Sequence, residues 1–398
     1  MPTMAGRCME DAPLWKYAFL LINRFQYCIQ VELFEAWLQR AKTCRLSITL
    51  RFEDWFYSQT HARELGSPYE IFELIAMKSG QLEAIDLVFP DARCAEILNN
   101  EKESLSSLRF LCIKYLETGS PVDVGLMEDQ VSLKHLVVNL INANFTLPRS
   151  CFSLSMLDLK GVDLEMVVAI IRMAPNLRTC RLKEVNGPES PIFDPSPVTA
   201  PSLESLEVRW CYSFSLPSIF GELPNLSELI IRGNYYPCLE EIKRFFDMRS
   251  LKLKRFHLTI DETMKLEGIR GLLNYHNITL VSLSFHNHSC RARSLHEEIH
   301  QMLTPRNGNP DLLPNLQHYE YHPPKQEFFS PLSMACLVHM LKERWEASKL
   351  AAKPENASPA VFSVRLPYFC CTDILESLET EREEGLRIET DLFCKGES

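Results

Sequence analysis

The sequence predicts an α/β solenoid, in which strand and helix alternate and the strands stack into one parallel sheet with helices behind it. Three observations predict it. The motif L-x-x-L-x-L recurs through most of the 398 residues, successive copies stand 21 to 27 positions apart, and the stretches between them carry helical periodicity. Leucine fills 56 positions and glycine only 14. That spacing is the leucine-rich-repeat period of about 20–29 residues, so the expected form is a horseshoe with a concave parallel β-sheet and convex helices.

The elements follow in order. Residues 1–60 do not fit the repeat: Leu33, Phe34, Trp37 and Leu38 share one face of a helix over 32–42, and residues 45–52 alternate like a strand. A helical cap closing the apolar end of the array is the expectation. Residues 61–398 are the expected array. Its copies open at Leu82, Leu108, Leu133, Leu154, Leu177, Leu203, Leu226, Leu253 and Leu280, and each carries apolar residues three and five positions later. Helical connectors fill stretches such as 163–173 and 239–246, and Pro-Asn-Leu or Pro-Ser-Leu often leads into the next strand. A proline-rich insertion occupies 184–201. Over 305–398 the last repeats degenerate into Leu316, Tyr319, Tyr321 and Val361, Val364, Leu366.

Composition narrows the function. Hydrophobic residues at 46% and charged residues at 24% exclude disordered and fibrous classes. With 42 Lys+Arg against 52 Asp+Glu the net charge is −10, so neither nucleic acid nor an anionic membrane is an expected partner and any basic surface is local. The 14 cysteines include no C-x-x-C pair and one adjacent pair, Cys370 and Cys371, which reads as reduced thiols. The early apolar run over 17–22 is far short of the ~20 residues of a membrane span, and no secretory signal precedes it, so a cytoplasmic or nuclear location is expected.

The run LFEAWLQRAKTCRLSITL at 33–50 resembles the helix and strand that follow the F-box in large leucine-rich F-box proteins of mushroom-forming fungi. APLWKYAFLLI before it resembles the segment closing that F-box, and PYEIFELIAMKSGQLEAIDLVFP and VTAPSLESLEV resemble later segments. Ala41 and Arg45 stand where the family pattern has Ser and Pro, and only twelve residues precede Pro13, too few for an F-box. The resemblance implies the substrate-recognition portion of an SCF-type ubiquitin ligase, with the Skp1 adaptor as a partner only if an F-box lies upstream. The alternative is a stand-alone interaction scaffold with no ubiquitin link.

Chemistry-bearing motifs are few. His296, Glu297 and His300 spell H-E-x-x-H, which on a helix would set two imidazoles for zinc beside a carboxylate base. A zinc metallopeptidase is therefore a third reading. His286, His288 and Cys290 alternate beyond one strand and, with His296, compose a weaker metal pattern. No P-loop, G-x-S-x-G or G-x-G-x-x-G occurs, and no catalytic residue, resident metal or cofactor is expected.

Binding is expected on the concave face. Alternation turns the fourth and sixth residues of each motif inward and the third, fifth and seventh outward. The seventh-position column reads Lys114, Asn139, Lys160, Lys183, Arg209, Arg232, Thr259, His286 and His322, a basic ladder in an acidic chain. Arg181, Arg255 and His257 flank it, against Asp158, Glu207 and Glu228. Trp210, Tyr212, Tyr235 and Tyr236 stand just past two rungs, and such aromatics are enriched at interface hot spots. A protein partner with an acidic or phosphorylated segment is the expected ligand.

Overall fold

The computed structural model describes residues 15–23, 26–53, 68–90, 92–100, 102–115, 123–124, 132–139, 144–145, 151–187, 196–209, 216–233, 239–249, 251–260, 263–287, 293–306, 311–323, 330–351, 362–367 and 371–391. The chain divides into two compact units, Met1–Ser202 and Leu203–Ser398.

The first unit runs β1 (Tyr17–Asn23), α1 (Tyr27–Ala41), β2 (Leu46–Glu53), α2 (Tyr69–Ala76), β3 (Leu82–Phe89), α3 (Ala92–Asn99) and β4 (Phe110–Tyr115). It continues through β5 (Asp123–Val124), β6 (His135–Asn139), β7 (Asn144–Phe145), β8 (Met156–Lys160), α4 (Leu164–Met173) and β9 (Thr179–Lys183). The strands lie in the order β1-β2-β3-β4-β6-β8-β9, all neighbours parallel, while β5 and β7 pair separately.

In the second unit come β10 (Ser205–Arg209), α5 (Leu216–Ile219), β11 (Glu228–Arg232), α6 (Leu239–Arg249), β12 (Arg255–Ile260), α7 (Leu266–Tyr275) and β13 (Ser282–Asn287). Then follow α8 (Arg293–Leu303), β14 (His318–His322), α9 (Pro331–Ala351), β15 (Ser363–Pro367), α10 (Cys371–Ser377), α11 (Glu379–Glu383) and β16 (Arg387–Asp391). These seven strands are parallel and sequential.

The repeat explains the register. Fourth positions align across the second unit as Leu206, Leu229, Phe256, Leu283, Tyr319, Val364 and Ile388. All but the half-buried Ile388 are buried, as are the sixth-position companions Val208, Ile231, Leu258, Phe285 and Tyr321. Helices cover that face: Phe246 of α6 meets Phe256 edge-on at 5.9 Å, and His300 of α8 meets Tyr321 at 4.8 Å. A parallel neighbour needs a crossover of this kind, since a tight hairpin joins only antiparallel strands.

A backbone ladder at the second motif position locks the stack. In the first unit the N–H groups of Arg109, Lys134, Ser155 and Arg178 each donate to the carbonyl one repeat earlier, at 2.8–2.9 Å. Ser227, Lys254, Val281 and Gln317 do the same in the second, the first of them to Glu204, and the third-position Ser363 donates to Gln317. The Pro-Asn-Leu turns add a side-chain rung: Asn176 Nδ2 donates to the Phe152 carbonyl and Asn315 Nδ2 to that of Ile278, each at 2.8 Å. Leu206 is fully buried at the start of its row. Leu206→Ala is expected to cost about 2–5 kcal/mol of unfolding free energy in denaturant titrations, and a loss below ~1 kcal/mol would contradict its place in this core.

The segment expected as a cap carries the strand expected over 45–52, as β2, and one more, β1: β1 pairs with β2 and β2 with β3, parallel throughout, so the first unit's sheet begins at Tyr17. Tyr17, Phe19 and Leu21 on β1 remain exposed. The division between the two units falls between Ser202 and Leu203. The degenerate C-terminal stretch still supplies β14, β15 and β16. Among the described residues no helix is long and apolar enough to cross a membrane.

Candidate partner-binding face

Third, fifth and seventh positions stand on the face opposite the helices, as the alternation requires. In the first unit Lys114 pairs with Asn139, Asn139 with Lys160 and Lys160 with Lys183 across successive strands. The column exists, but its charges are met. Lys160 Nζ lies 3.2 Å from Glu184 Oε1 and Lys183 Nζ donates to Asp158 Oδ2 at 3.0 Å. Arg181 stands beside Asp158 in register and is half-buried. Further along, burial alone would raise the Asp86 carboxyl, yet bonds from Arg51 and Cys112 and the charges of Arg51 and Lys114 hold it below the usual range. The first unit is thus a face of interleaved acids and bases.

In the second unit Arg209 and Arg232 pair in register, and Arg209 bonds to Glu207 of its own strand. Two of the carboxylates expected against the ladder, Asp158 and Glu207, reach Lys183 and Arg209, because neighbours two apart along a strand or one strand across share a face. Trp210, Tyr212, Tyr235 and Tyr236 lie outside the described residues, as do His288 and Cys290.

The second unit instead gathers its third and fifth positions into a cavity of about 380 Å³ over β11–β16. Its charged lining comprises Arg255, Arg365 and Arg387 against Glu228, Glu320 and Glu389, with His257 and His318 among them. Arg255 and Arg365 are 60% and 49% exposed; Arg255 Nη1 is 3.5 Å from Glu228 and Arg365 Nη2 is 2.8 Å from Glu389. Of the expected site residues, only Arg255 belongs to this group. Arg365 sits in the least regular copy, and Arg387 lies on β16, where Gly385 takes the place of the first leucine and hides the motif.

Deeper on the same face, His286 and His322 stack with ring centres 4.0 Å apart and planes 17° from parallel. His322 Nε2 donates to Glu320 Oε1 at 2.8 Å, and His257 Nδ1 lies 3.7 Å from Glu320 Oε2. Burial opposes ionisation of Glu320, but His322 and His257 pull its carboxyl down to about 2. Burial holds His286 and His257 below the usual imidazole value, assisted by the charge of Arg232. These imidazoles are neutral at pH 7.

The H-E-x-x-H residues are elsewhere. His296 and His300 point into the core of α8 against β14, 2% and 0% exposed. His300 Nε2 is 3.1 Å from Tyr319 Oη, and His296 packs edge-on against Tyr321 at 5.5 Å. Glu297 accepts from the Ser330 and Ser333 hydroxyls at 3.1 and 2.8 Å. The motif is spent on joining α8, α9 and β14. Burial also pushes the thiol of Cys112 up to about 12 and that of Cys151 up to about 11, which suppresses thiolate chemistry there.

No model of a known protein family matches the chain, and no curated protein matches it either.

Proposed function

We propose that the chain is a protein-binding repeat module, and that the cavity over β11–β16 receives an acidic or phosphate-bearing segment of its protein partner. One observation carries this reading: three guanidinium groups from β12, β15 and β16 line a single cavity of about 380 Å³. Arginine's planar fork matches carboxylate and phosphate oxygens two at a time. The intramolecular pairs of Arg255 and Arg365 are surface pairs, worth about 0–1 kcal/mol, so an incoming anion displaces Glu228 or Glu389 at little cost. Substrate recognition for an SCF-type ubiquitin ligase is the finer form of this proposal. Its support is the resemblance of residues 33–50, and its separate test is capture of the Skp1 adaptor by a version of the chain extended upstream to an F-box, which residues 1–398 alone are not expected to achieve.

The test of the cavity is affinity for peptides selected from a library of acidic and phosphorylated sequences. An Arg255→Glu, Arg387→Glu double variant is expected to bind them at least about tenfold more weakly, a loss of ~1.4 kcal/mol, with wild-type binding falling as salt rises. Equal affinity in the two folded proteins would remove the cavity from the binding site.

A further inference from the structure

We propose that His257, His286 and Glu320 form a divalent-metal site on the open face of the second unit, with zinc as the ion their donors suit. One ligating atom from each side chain lies within 4.8 Å of the others. Two imidazole nitrogens and a carboxylate oxygen match zinc sites that keep a fourth position open.

The sheet register builds this cluster. His257 and Glu320 hold the fifth position on β12 and β14, with Ser284 between them on β13. Strands two apart are separated by about 9.6 Å, and the small Ser284 lets both long side chains lean over it. His286 rises from the seventh position of that middle strand. Zinc bonds of about 2.0–2.2 Å set tetrahedral donors roughly 3.3 Å apart, so side-chain rotation alone closes the cluster.

Two further observations point to a ligand. His257 Nδ1 and His286 Nε2 are buried and have no hydrogen-bond partner. Buried polar nitrogens are ordinarily paired. His322 also acts as an outer-shell group would: its Nε2–H bonds Glu320 Oε1 and leaves Oε2 toward His257. His257 and Glu320 also belong to the lining of the cavity.

This inference goes beyond the partner-binding reading and fails separately from it, because its experiment contains no peptide. The full chain, stripped with chelator, is titrated with zinc and, in parallel, with cobalt, whose visible absorption reports the donors. One equivalent of zinc at micromolar affinity or tighter is expected, with cobalt bands of nitrogen–oxygen coordination and no thiolate charge-transfer band. His286→Ala and Glu320→Gln should abolish binding, His322→Ala should weaken it about 10–100-fold, and His339→Ala, at an exposed position of α9, should leave it unchanged. If one ligand variant does not fold, the other carries the test, with circular dichroism confirming fold. No zinc uptake by the wild type, uptake preserved in the folded ligand variants, or a thiolate band would each overturn the proposal.

Discussion

Arg344→Met is expected to lower the unfolding free energy of the second unit by about 2–6 kcal/mol. Arg344 sits on α9 with 4% exposure, and its guanidinium spans three carbonyls: Nε to Leu303 at 2.8 Å, Nη1 to Leu313 at 2.7 Å and Nη2 to Leu312 at 2.6 Å. Leu303 ends α8, whose last carbonyls have no partner within the helix. Leu313 keeps one bond, from the Leu316 N–H, so methionine would strip a partner from the other two acceptors, at about 1–3 kcal/mol each. Burial draws the guanidinium down to about 10, which still leaves it charged at pH 7. Arg344→Lys, with a single ammonium in place of a fork, should fall between wild type and Met. Denaturant titration followed by hydrogen exchange reads the loss; a change under ~1 kcal/mol for Met would mean that the fork does not hold α8, α9 and the turn before β14 together.

The second unit is also expected to lose stability steeply between pH 6 and 4.5. Burial pulls His276 and His296 down to about 4 and, assisted by the neighbouring His296, His300 down to about 3. In the unfolded chain each titrates near 6.5. A folded value below the unfolded one means stability present above pH ~6.5 and lost as pH falls toward the folded value, because the unfolded chain takes the protons first. Each imidazole contributes about 1.4 kcal/mol per pH unit in that window, roughly 4 kcal/mol for the three. At pH 5 the total is ~6 kcal/mol, comparable to the whole stability of a domain. Glu320, whose carboxyl is held at about 2, adds its own loss in the same direction as pH falls further. Hydrogen exchange at pH 7 and 5, corrected for intrinsic rates, should show the second unit opening at pH 5. Equal protection at both values would mean that these histidines are not withheld from water.

The repeat was legible because the same three apolar positions do the same work in every copy. Leu82, Leu108, Leu133, Leu154, Leu177, Leu203, Leu253 and Leu280 are each no more than 1% exposed, and nothing local competes with that pattern. Strand β1 was illegible for the opposite reason: its apolar Tyr17, Phe19 and Leu21 alternate outward, and Ile22 alone of its residues is buried. Tyr319 and Tyr321 looked like decay of the motif. They are core residues whose size is matched by His296 and His300 on α8, the two histidines of the H-E-x-x-H motif.

The binding face was half legible. Spacing placed every seventh-position residue on one face and in register, but not which carboxylate would meet which cation. Lys183 reaches across 25 residues to Asp158 while Arg209 turns back two residues to Glu207. The cluster of His257, His286 and Glu320 joins three strands separated by helices, and only the sheet register brings such residues together.

Site-specific photo-crosslinking tests most directly whether the open face of the second unit meets a protein. A benzophenone amino acid at Ser363, in the cavity lining, is compared with one at Arg270, exposed on α7. In extract of the source cells the account predicts a discrete protein adduct from Ser363 that weakens with salt, displaced by the acidic peptides selected above, and none from Arg270. The same adduct from Arg270, or an adduct at Ser363 that neither salt nor acidic peptide diminishes, would contradict it.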